Sequence, residues 1–279
     1  MNRLKLRLLL EQFFLEDIGE RDVTSELIFG EEEKGEIVFL AKENGIFCGQ
    51  AVIETGFSLL DEKVEINLLV KDGERIEKGQ RLATVRGRVA ELLKGERVVL
   101  NLVQRMSGIA TKTREAVNIL GTTQTKIVDT RKTTPGLRML EKYAVRCGGG
   151  LNHRFGLYDA VMIKDNHISF SGSISKAVEK VRKNLGHMVK IEVETETKEE
   201  MLEAINAGVD VIMFDNRKPE EIKEWIPYVP KGIITEASGG ITLNNLGSYK
   251  DCGVDVISLG FLTHTVKALD ISVKVHVRG

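Results

Sequence analysis

The hydrophobic pattern changes its period twice along the 279 residues. Residues 3–15 set leucines and phenylalanines at helical spacing and predict an amphipathic helix. A turn is expected from Asp22 to Leu27. Short apolar runs then predict strands over Glu36–Ala41, Ile46–Cys48 and Val64–Val70, and residues 70–87 alternate strand pieces with glycine turns. From Val89 to Leu120 apolar residues recur at i, i+3 and i+4, which predicts a helix that Gly108 breaks or bends.

After Gly121 the texture becomes an alternation of strands and helices. Strands are predicted over Lys126–Thr130, Ala160–Lys164, Val189–Glu194, Val209–Phe214, Ile233–Ala237 and Val254–Leu259. Helices are predicted over Ser173–Leu185, Lys198–Ala207, Pro219–Trp225 and Leu243–Cys252. The phrases A-G-V-D-V-I-M-F-D (207–215) and C-G-V-D-V-I-S-L-G (252–260) each end a helix at glycine and open a buried parallel strand. This order implies a parallel sheet, as a barrel or a doubly wound sheet. Six strands fall short of a complete eight-unit barrel. A final strand over 269–277 has no helix after it and is expected to return to the N-terminal domain.

Composition narrows the class. An apolar fraction of 42% supports a real core, and a net charge of -1 argues against a general nucleic-acid binder. The 3 cysteines, Cys48, Cys147 and Cys252, are scattered and show no metal-ligand spacing, which suits a reduced cytoplasmic setting. No apolar run approaches the roughly 18–20 residues of a membrane span, and Leu8 to Leu10 is too short for a signal peptide.

Charge is concentrated between Asp129 and His167. Arg131, Lys132, Arg138, Lys142, Arg146, Arg154 and Lys164 outnumber the nearby acids there, with His153 and His167 among them. Arg offers a planar fork to carboxylate or phosphate, and Lys a compact charge. In a parallel barrel, function collects at the C-terminal ends of strands. Those ends read Thr130, Arg131 and Lys132; then Lys164; then Glu192 and Glu194; then Asp215; then Ser238, Gly239 and Gly240; then Ser258, Leu259 and Gly260. The two late glycine turns fit a phosphate site and equally fit plain strand-to-helix punctuation. Glu194 and Asp215 fit Mg²⁺, sugar hydroxyls, a developing cation, or a partner Lys or Arg. Lys164 closes an apolar run, so its charge needs a partner. On the preceding helix Arg97 and Arg105 are expected to face water. Residues 72–83 resemble the glycine-turned shape of biotinyl or lipoyl carrier domains, without their modifiable lysine.

The motifs taken together closely resemble the decarboxylating quinolinate phosphoribosyltransferase family, the nicotinate-nucleotide pyrophosphorylases. They are E-D-I-G-E-R-D-V-T-S, G-E-R-V-V-L-N-L, D-T-R-K-T-T-P-G-L-R, N-H-R, M-I-K-D-N-H, E-V-E, S-G-G-I-T and L-T-H-T-V-K-A-L-D-I-S. The resemblance implies an incomplete parallel α/β barrel with an N-terminal α/β sandwich domain. The sandwich is expected over 1–105, joined by 266–279, and the barrel over 106–265. It implies quinolinate and phosphoribosyl pyrophosphate as substrates, Mg²⁺ as cofactor, and no nucleic-acid or membrane partner. It further implies a homodimer with shared active sites, higher assembly being left open. Lys132, Lys164, Glu194 and Asp215 are the implied catalytic residues. The quinolinate pocket maps onto Arg131, Lys132, His153, Arg154 and Lys164, with Thr130 beside them, and the partner's arginine onto Arg97. Glu194 and Asp215 become the acidic pair and the candidate metal ligands. Ser238–Gly240 and Ser258–Gly260 become the phosphate turns. Leu151 departs from the family pattern, where the glycine run continues. The runner-up is a paralogue acting on nicotinate, and a non-catalytic phosphate-binding module is the reading from another class.

Overall fold

The computed structural model describes residues 1–121 and 124–276. Val277, the end of the last predicted strand, and residues 277–279 of the C-terminal segment lie outside that range. The chain divides into two compact units. One comprises residues 1–114, 134–149 and the chain from 265 on; the other comprises residues 115–133 and 150–264.

The first unit is built on a four-stranded antiparallel sheet. Its strands are β1 (Lys34–Ala41), β3 (Glu65–Leu68), β5 (Arg81–Arg88) and β12 (Ile271–His276), in the order β12-β1-β5-β3. A small ribbon pairs β2 (Gly45–Ile46) with β4 (Arg75–Ile76). In β1 the consecutive Ile37, Val38 and Phe39 are all buried, so this central strand is covered on both faces. Helix α1 (Arg3–Ile18) buries Leu6, Leu10 and Phe14, one residue per turn, and α3 (Gln50–Leu60) sets the Phe57 ring edge-on to Phe39 with centroids 6.1 Å apart. The expected turn after Asp22 is instead a short helix, α2 (Val23–Ile28). Its cause is local: the Asp22 carboxylate accepts the N–H groups of Thr24 and Ser25.

The long helix α4 (Val89–Leu120) runs unbroken through Gly108, contrary to the expected break. Gly108 answers a different need. A side-chain carbon there would run into the Lys267 carbonyl oxygen. Just beyond this contact the returning chain is tied to Gln104: Leu269 N–H donates to Gln104 O at 2.9 Å, and Gln104 Nε2 donates to Ile271 O at 2.7 Å. Helix α5 (Arg138–Cys147), which apolar periodicity did not single out, also belongs to this unit.

The second unit carries six parallel strands: β6 (Lys126–Val128), β7 (Val161–Ile163), β8 (Ile191–Thr195), β9 (Val211–Asp215), β10 (Ile234–Ser238) and β11 (Val256–Ser258). Their order is β6-β11-β10-β9-β8-β7. The last strand returns to the first, as in a barrel, while the first and second do not pair. The barrel is therefore incomplete, and its break falls between β6 and β7. Helices α6 (Asp165–Ser171), α7 (Ile174–Asn184), α8 (Lys198–Asn206), α9 (Pro219–Trp225), α10 (Leu243–Leu246) and α11 (Phe261–His264) follow the strands. Helix α6 was not anticipated, and the helix predicted over 243–252 is a short α10 with a 3₁₀ turn behind it.

The repeated G-V-D phrase has a structural purpose. Gly208 and Gly253 take positive φ of 73° and 90°. The next acid then reaches back to a neighbouring strand. Asp210 accepts Ile191 N–H at 2.8 Å, and Asp255 accepts Thr235 N–H at 2.8 Å. Each acid thus fixes the start of the preceding strand.

Gly108→Ala gains about 1 kcal/mol of helix propensity but forces a methyl against a carbonyl, and such overpacking costs about 1–3 kcal/mol. The variant is expected to unfold at lower temperature than the parent in a thermal melt. A higher midpoint would mean that the 267–271 segment is not held against this helix.

Candidate active site

The parallel strands place most of the expected residues on one rim. Thr130, Arg131 and Lys132 follow β6, Lys164 follows β7, Glu194 lies near the end of β8, and Asp215 ends β9. Ser238 ends β10 with Gly239 and Gly240 behind it, and Ser258 ends β11 with Leu259 and Gly260 behind it. Glu194, Met213 and Glu236 are in direct register across β8, β9 and β10. Lys164 finds the partner its position demanded: its Nζ pairs with the Glu194 carboxylate. The pair is half-exposed, so it contributes about 0–1 kcal/mol to stability and holds geometry more than it holds the fold.

Beneath this rim lies a buried cluster. His153 Nε2 sits 3.1 Å from Glu192 and 3.5 Å from Glu236. Both acids are buried, and neither was assigned a role from the sequence. Burial opposes the imidazolium, but the hydrogen bonds and charges of Glu192 and Glu236 outweigh it and raise His153 to about 10. Arg154 N–H lies 2.8 Å from His153 Nδ1 and works against a second ring proton there. Two full carboxylate charges prevail over that single amide dipole. Burial pushes the Glu192 carboxyl up, so the cluster gains by keeping a proton on the ring between the two acids.

The His153 backbone is fixed as well. Asp129, fully buried, accepts its N–H at 2.9 Å and Asn152 Nδ2 at 2.6 Å. Leu151, the departure from the family pattern, forms a parallel bridge with Val128 beside β6, with its side chain half-exposed. Leu151 does not take the positive φ that would favour glycine there. Arg154 donates from Nη1 to Ala160 O at 2.9 Å. Burial and then the Arg131 charge lower its pKa, against the opposing charges of Glu192, Asp159 and Glu194.

The glycine turns are shaped by close approach. Gly239 and Gly240 have φ of 80° and 62°, and a side-chain carbon on Gly239 would strike the Asn216 carboxamide oxygen. Asn216 itself has φ of 55° and donates from Nδ2 to Asp215 at 2.7 Å. A side-chain carbon on Gly260 would come within 3.0 Å of the Lys132 chain. The backbone beside Lys132 is anchored to α11, because Thr263 Oγ1 donates to Lys132 O at 2.8 Å. Leu259 N–H donates to Val128 O at 3.0 Å, tying this turn to β6.

Arg97 belongs to the other compact unit, where its side chain is 61% exposed and its nearest acid is Glu96 at 3.9 Å. Arg105 does not face water as expected: Nε and Nη2 both donate to Glu141, at 2.9 and 2.6 Å, and Nη2 reaches Thr134. Of the cations in the 129–167 stretch, Arg138, Lys142 and Arg146 lie on α5 in that same unit, with Lys142 completely buried.

Among the described residues two clusters bring three metal-ligating groups together: His153 with Glu192 and Glu236, and Cys48 with Asp72 and Cys147. In the first, His153 Nε2 stands between the two acids, and Glu236 Oε1 is buried without a hydrogen-bond partner. Glu194 and Asp215 supply the hard carboxylate oxygens that suit Mg²⁺, an ion that retains waters and substrate phosphates as further ligands.

The His153 cation is expected to support folding in a defined window. Its folded value of about 10 lies above the ordinary 6.5, so its contribution is full below about pH 6.5 and is lost as pH rises through about 10. His153→Gln leaves two buried acids facing each other and is expected to lose about 3 kcal/mol of stability near neutrality. Denaturant midpoints between about pH 7 and pH 11 should fall for the parent and converge on the variant. Parallel curves would show that the imidazole carries no such charge.

Comparison with known proteins identifies the family. The family model "Quinolinate phosphoribosyl transferase, N-terminal domain" matches residues 22–107, and "Quinolinate phosphoribosyl transferase, C-terminal domain" matches residues 109–274. A protein of Bacillus subtilis (strain 168) named probable nicotinate-nucleotide pyrophosphorylase (carboxylating) is 62% identical over 276 residues, covering 99% of this chain and 95% of its own. The mitochondrial quinolinate phosphoribosyltransferase (decarboxylating) 2b of Nicotiana tabacum is 40% identical, over 93% of this chain and 79% of its own. The crystal structure of NadC from Streptococcus pyogenes superposes with a TM-score of 0.95 at 39% identity, covering 98% of this chain and 97% of that one. The chain therefore belongs to the quinolinate phosphoribosyltransferase family.

Proposed function

We propose that the rim of the parallel sheet carries out decarboxylating phosphoribosyl transfer to quinolinate. The enzyme takes quinolinate and phosphoribosyl pyrophosphate and yields nicotinate mononucleotide, pyrophosphate and CO₂, a step of NAD biosynthesis. The observation that carries this reading is the gathering in one unit of four cations, Arg131 and Lys132 behind β6, Arg154 in the segment before β7 and Lys164 behind β7, with two acids, Glu194 and Asp215, near the ends of the adjacent strands β8 and β9. Quinolinate has two adjacent carboxylates and its cosubstrate several phosphates, so bringing them together requires a concentration of positive charge. A nicotinate acceptor, with one carboxylate, needs fewer cations.

The chemistry divides among these groups. Arg131 and Arg154 take a carboxylate between them. The half-exposed Lys164 exchanges its partner Glu194 for the substrate's other carboxylate, with Lys132 alongside. As the bond from ribose C1 to pyrophosphate breaks, positive charge grows at C1 and the quinolinate nitrogen bonds there. Glu194 and Asp215 stabilise that charge and hold the ribose hydroxyls. The glycosylated ring nitrogen is cationic. The bond from C2 to its carboxylate then breaks, and the electron pair left on C2 takes a proton. Ser238–Gly240 and Ser258–Gly260 cradle phosphate oxygens. Glu194 and Asp215 would hold Mg²⁺, which when bound neutralises charge on the departing pyrophosphate.

The active unit in this reading is a homodimer whose partner supplies Arg97. Its support is the exposure of Arg97 and the run of exposed apolar side chains Leu151, Phe155, Leu157, Tyr158 and Phe170, which isolated chains seldom leave uncovered. Among the described residues no helix is long and apolar enough to cross a membrane. Three free thiols accord with a cytoplasmic setting.

Incubation with phosphoribosyl pyrophosphate, Mg²⁺ and quinolinate should release CO₂ with nicotinate mononucleotide, and nicotinate should not replace quinolinate. Absence of CO₂ would overturn the reading. Arg97→Ala and Lys132→Ala are each expected to be inactive. Dissociated and re-dimerised as an equal mixture, they should recover about a quarter of parental activity, because half the dimers are mixed and keep one intact site of two. Mixed dimers that form and stay inactive would show that Arg97 is not supplied across an interface.

A further inference from the structure

Cys48 and Cys147, far apart in sequence, meet inside the first unit. Their sulfurs and an Asp72 oxygen all lie within 4.8 Å of one another. Cys48 is completely buried and follows β2; Cys147 is the last residue of α5 and is half-buried. Both backbones are pinned. Cys48 N–H donates to Ser107 Oγ at 3.0 Å, and Ser107 Oγ donates back to Cys48 O at 3.2 Å. The Cys147 carbonyl lies 3.2 Å from where a side-chain carbon on Gly73 would stand. Asp72 is fully engaged: it accepts Gly49 N–H at 2.7 Å, Gln50 N–H at 3.0 Å and the Tyr143 hydroxyl at 2.8 Å. A carboxylate so occupied is a poor metal ligand, and two sulfurs at this separation in a fixed frame are a dithiol.

We propose that Cys48 and Cys147 form a peroxide-responsive pair that closes into an intramolecular disulfide, linking the start of α3 to the end of α5. The half-buried Cys147 is the first to react. Its thiolate takes an oxygen from hydrogen peroxide, giving a sulfenic acid and, with one proton, water. Cys48 sulfur then attacks the Cys147 sulfur. The S–O bond breaks, the S–S bond forms, and the Cys48 proton leaves with hydroxide as a second water. Two thiols are oxidised by two electrons and one peroxide is reduced by two. The ionisation of the two thiols favours this order. The hydrogen bond from Cys48 holds Cys147 below its ordinary value, while burial pushes Cys48 well above. Cys252, buried in the other unit, has no second thiol in such a cluster among the described residues and serves as the internal control.

The test uses the full-length protein. It is exposed to hydrogen peroxide, quenched in acid, unfolded, alkylated and mapped by mass spectrometry without reduction. The expected result is one linked peptide pair, Cys48 with Cys147, lighter by two hydrogens, with Cys252 alkylated and all three thiols recovered after reduction. In Cys48→Ser the same exposure should carry Cys147 on to sulfinic acid, because the resolving thiol is gone. Four outcomes would overturn the proposal: both thiols alkylated after peroxide, sulfinic acid on Cys147 in the parent, linkage between two chains, or a stoichiometric metal ion held by the pair in the protein as isolated.

Discussion

The imidazole of His153, held between Glu192 and Glu236, is the interaction on which the rim depends. Two buried carboxylates repel each other and have lost their water. A proton shared with one imidazole offsets both costs at once. Without that ring, breaking a buried charge pair costs about 3–5 kcal/mol. The same interaction reaches outward through the backbone. It fixes the segment from Asn152 to Arg154, with Asp129 clamping it from the β6 side. Arg154 follows directly, and its guanidinium is held by the Ala160 carbonyl.

A second acid–base pair one layer higher behaves differently because water reaches it. Lys164 and Glu194 are joined much as His153 and Glu192 are, yet the half-exposed lysine makes the bond worth little. A bond of that strength can be exchanged for a substrate carboxylate without loss of fold. Depth in the sheet thus separates two uses of one chemistry. The buried pair positions, and the exposed pair reacts to what binds. A lysine closing an apolar strand and a glutamate on the next strand end are positions where structure alone gains nothing from charge.

What could be read from the residues follows from range. Strand ends are local, so Thr130 to Lys132, Lys164, Glu194, Asp215 and both glycine turns were legible from periodicity alone. The six parallel strands were legible for the same reason, whereas the choice of an incomplete barrel over a doubly wound sheet came from the family resemblance. Partners across the fold were not. Glu192 and Glu236 look like ordinary strand residues until His153 is brought between them, although a charged residue inside each apolar run was the available signal. Gly108 reads as a helix breaker, since nothing nearby in sequence shows that the 267–271 segment presses on it. Arg105 reads as a solvent-facing cation because its partner Glu141 lies far along the chain, on a helix that was not anticipated.

The two ends of the parallel strands carry different burdens, and the repeated G-V-D phrase shows why the division is stable. Asp210 and Asp255 accept backbone N–H groups at the starts of β8 and β10, the strands that carry Glu192, Glu194 and Glu236. Side chains alternate along a strand, so a slip of one residue would turn every one of those acids to the opposite face. Burial alone guards poorly against such a slip here, because both faces of these strands are largely buried. A side-chain-to-backbone bond at the strand start has no equivalent one residue away. The aspartates at one end therefore secure the register, and the register is what sets Glu194 beside Lys164 and Glu236 beside His153 at the other.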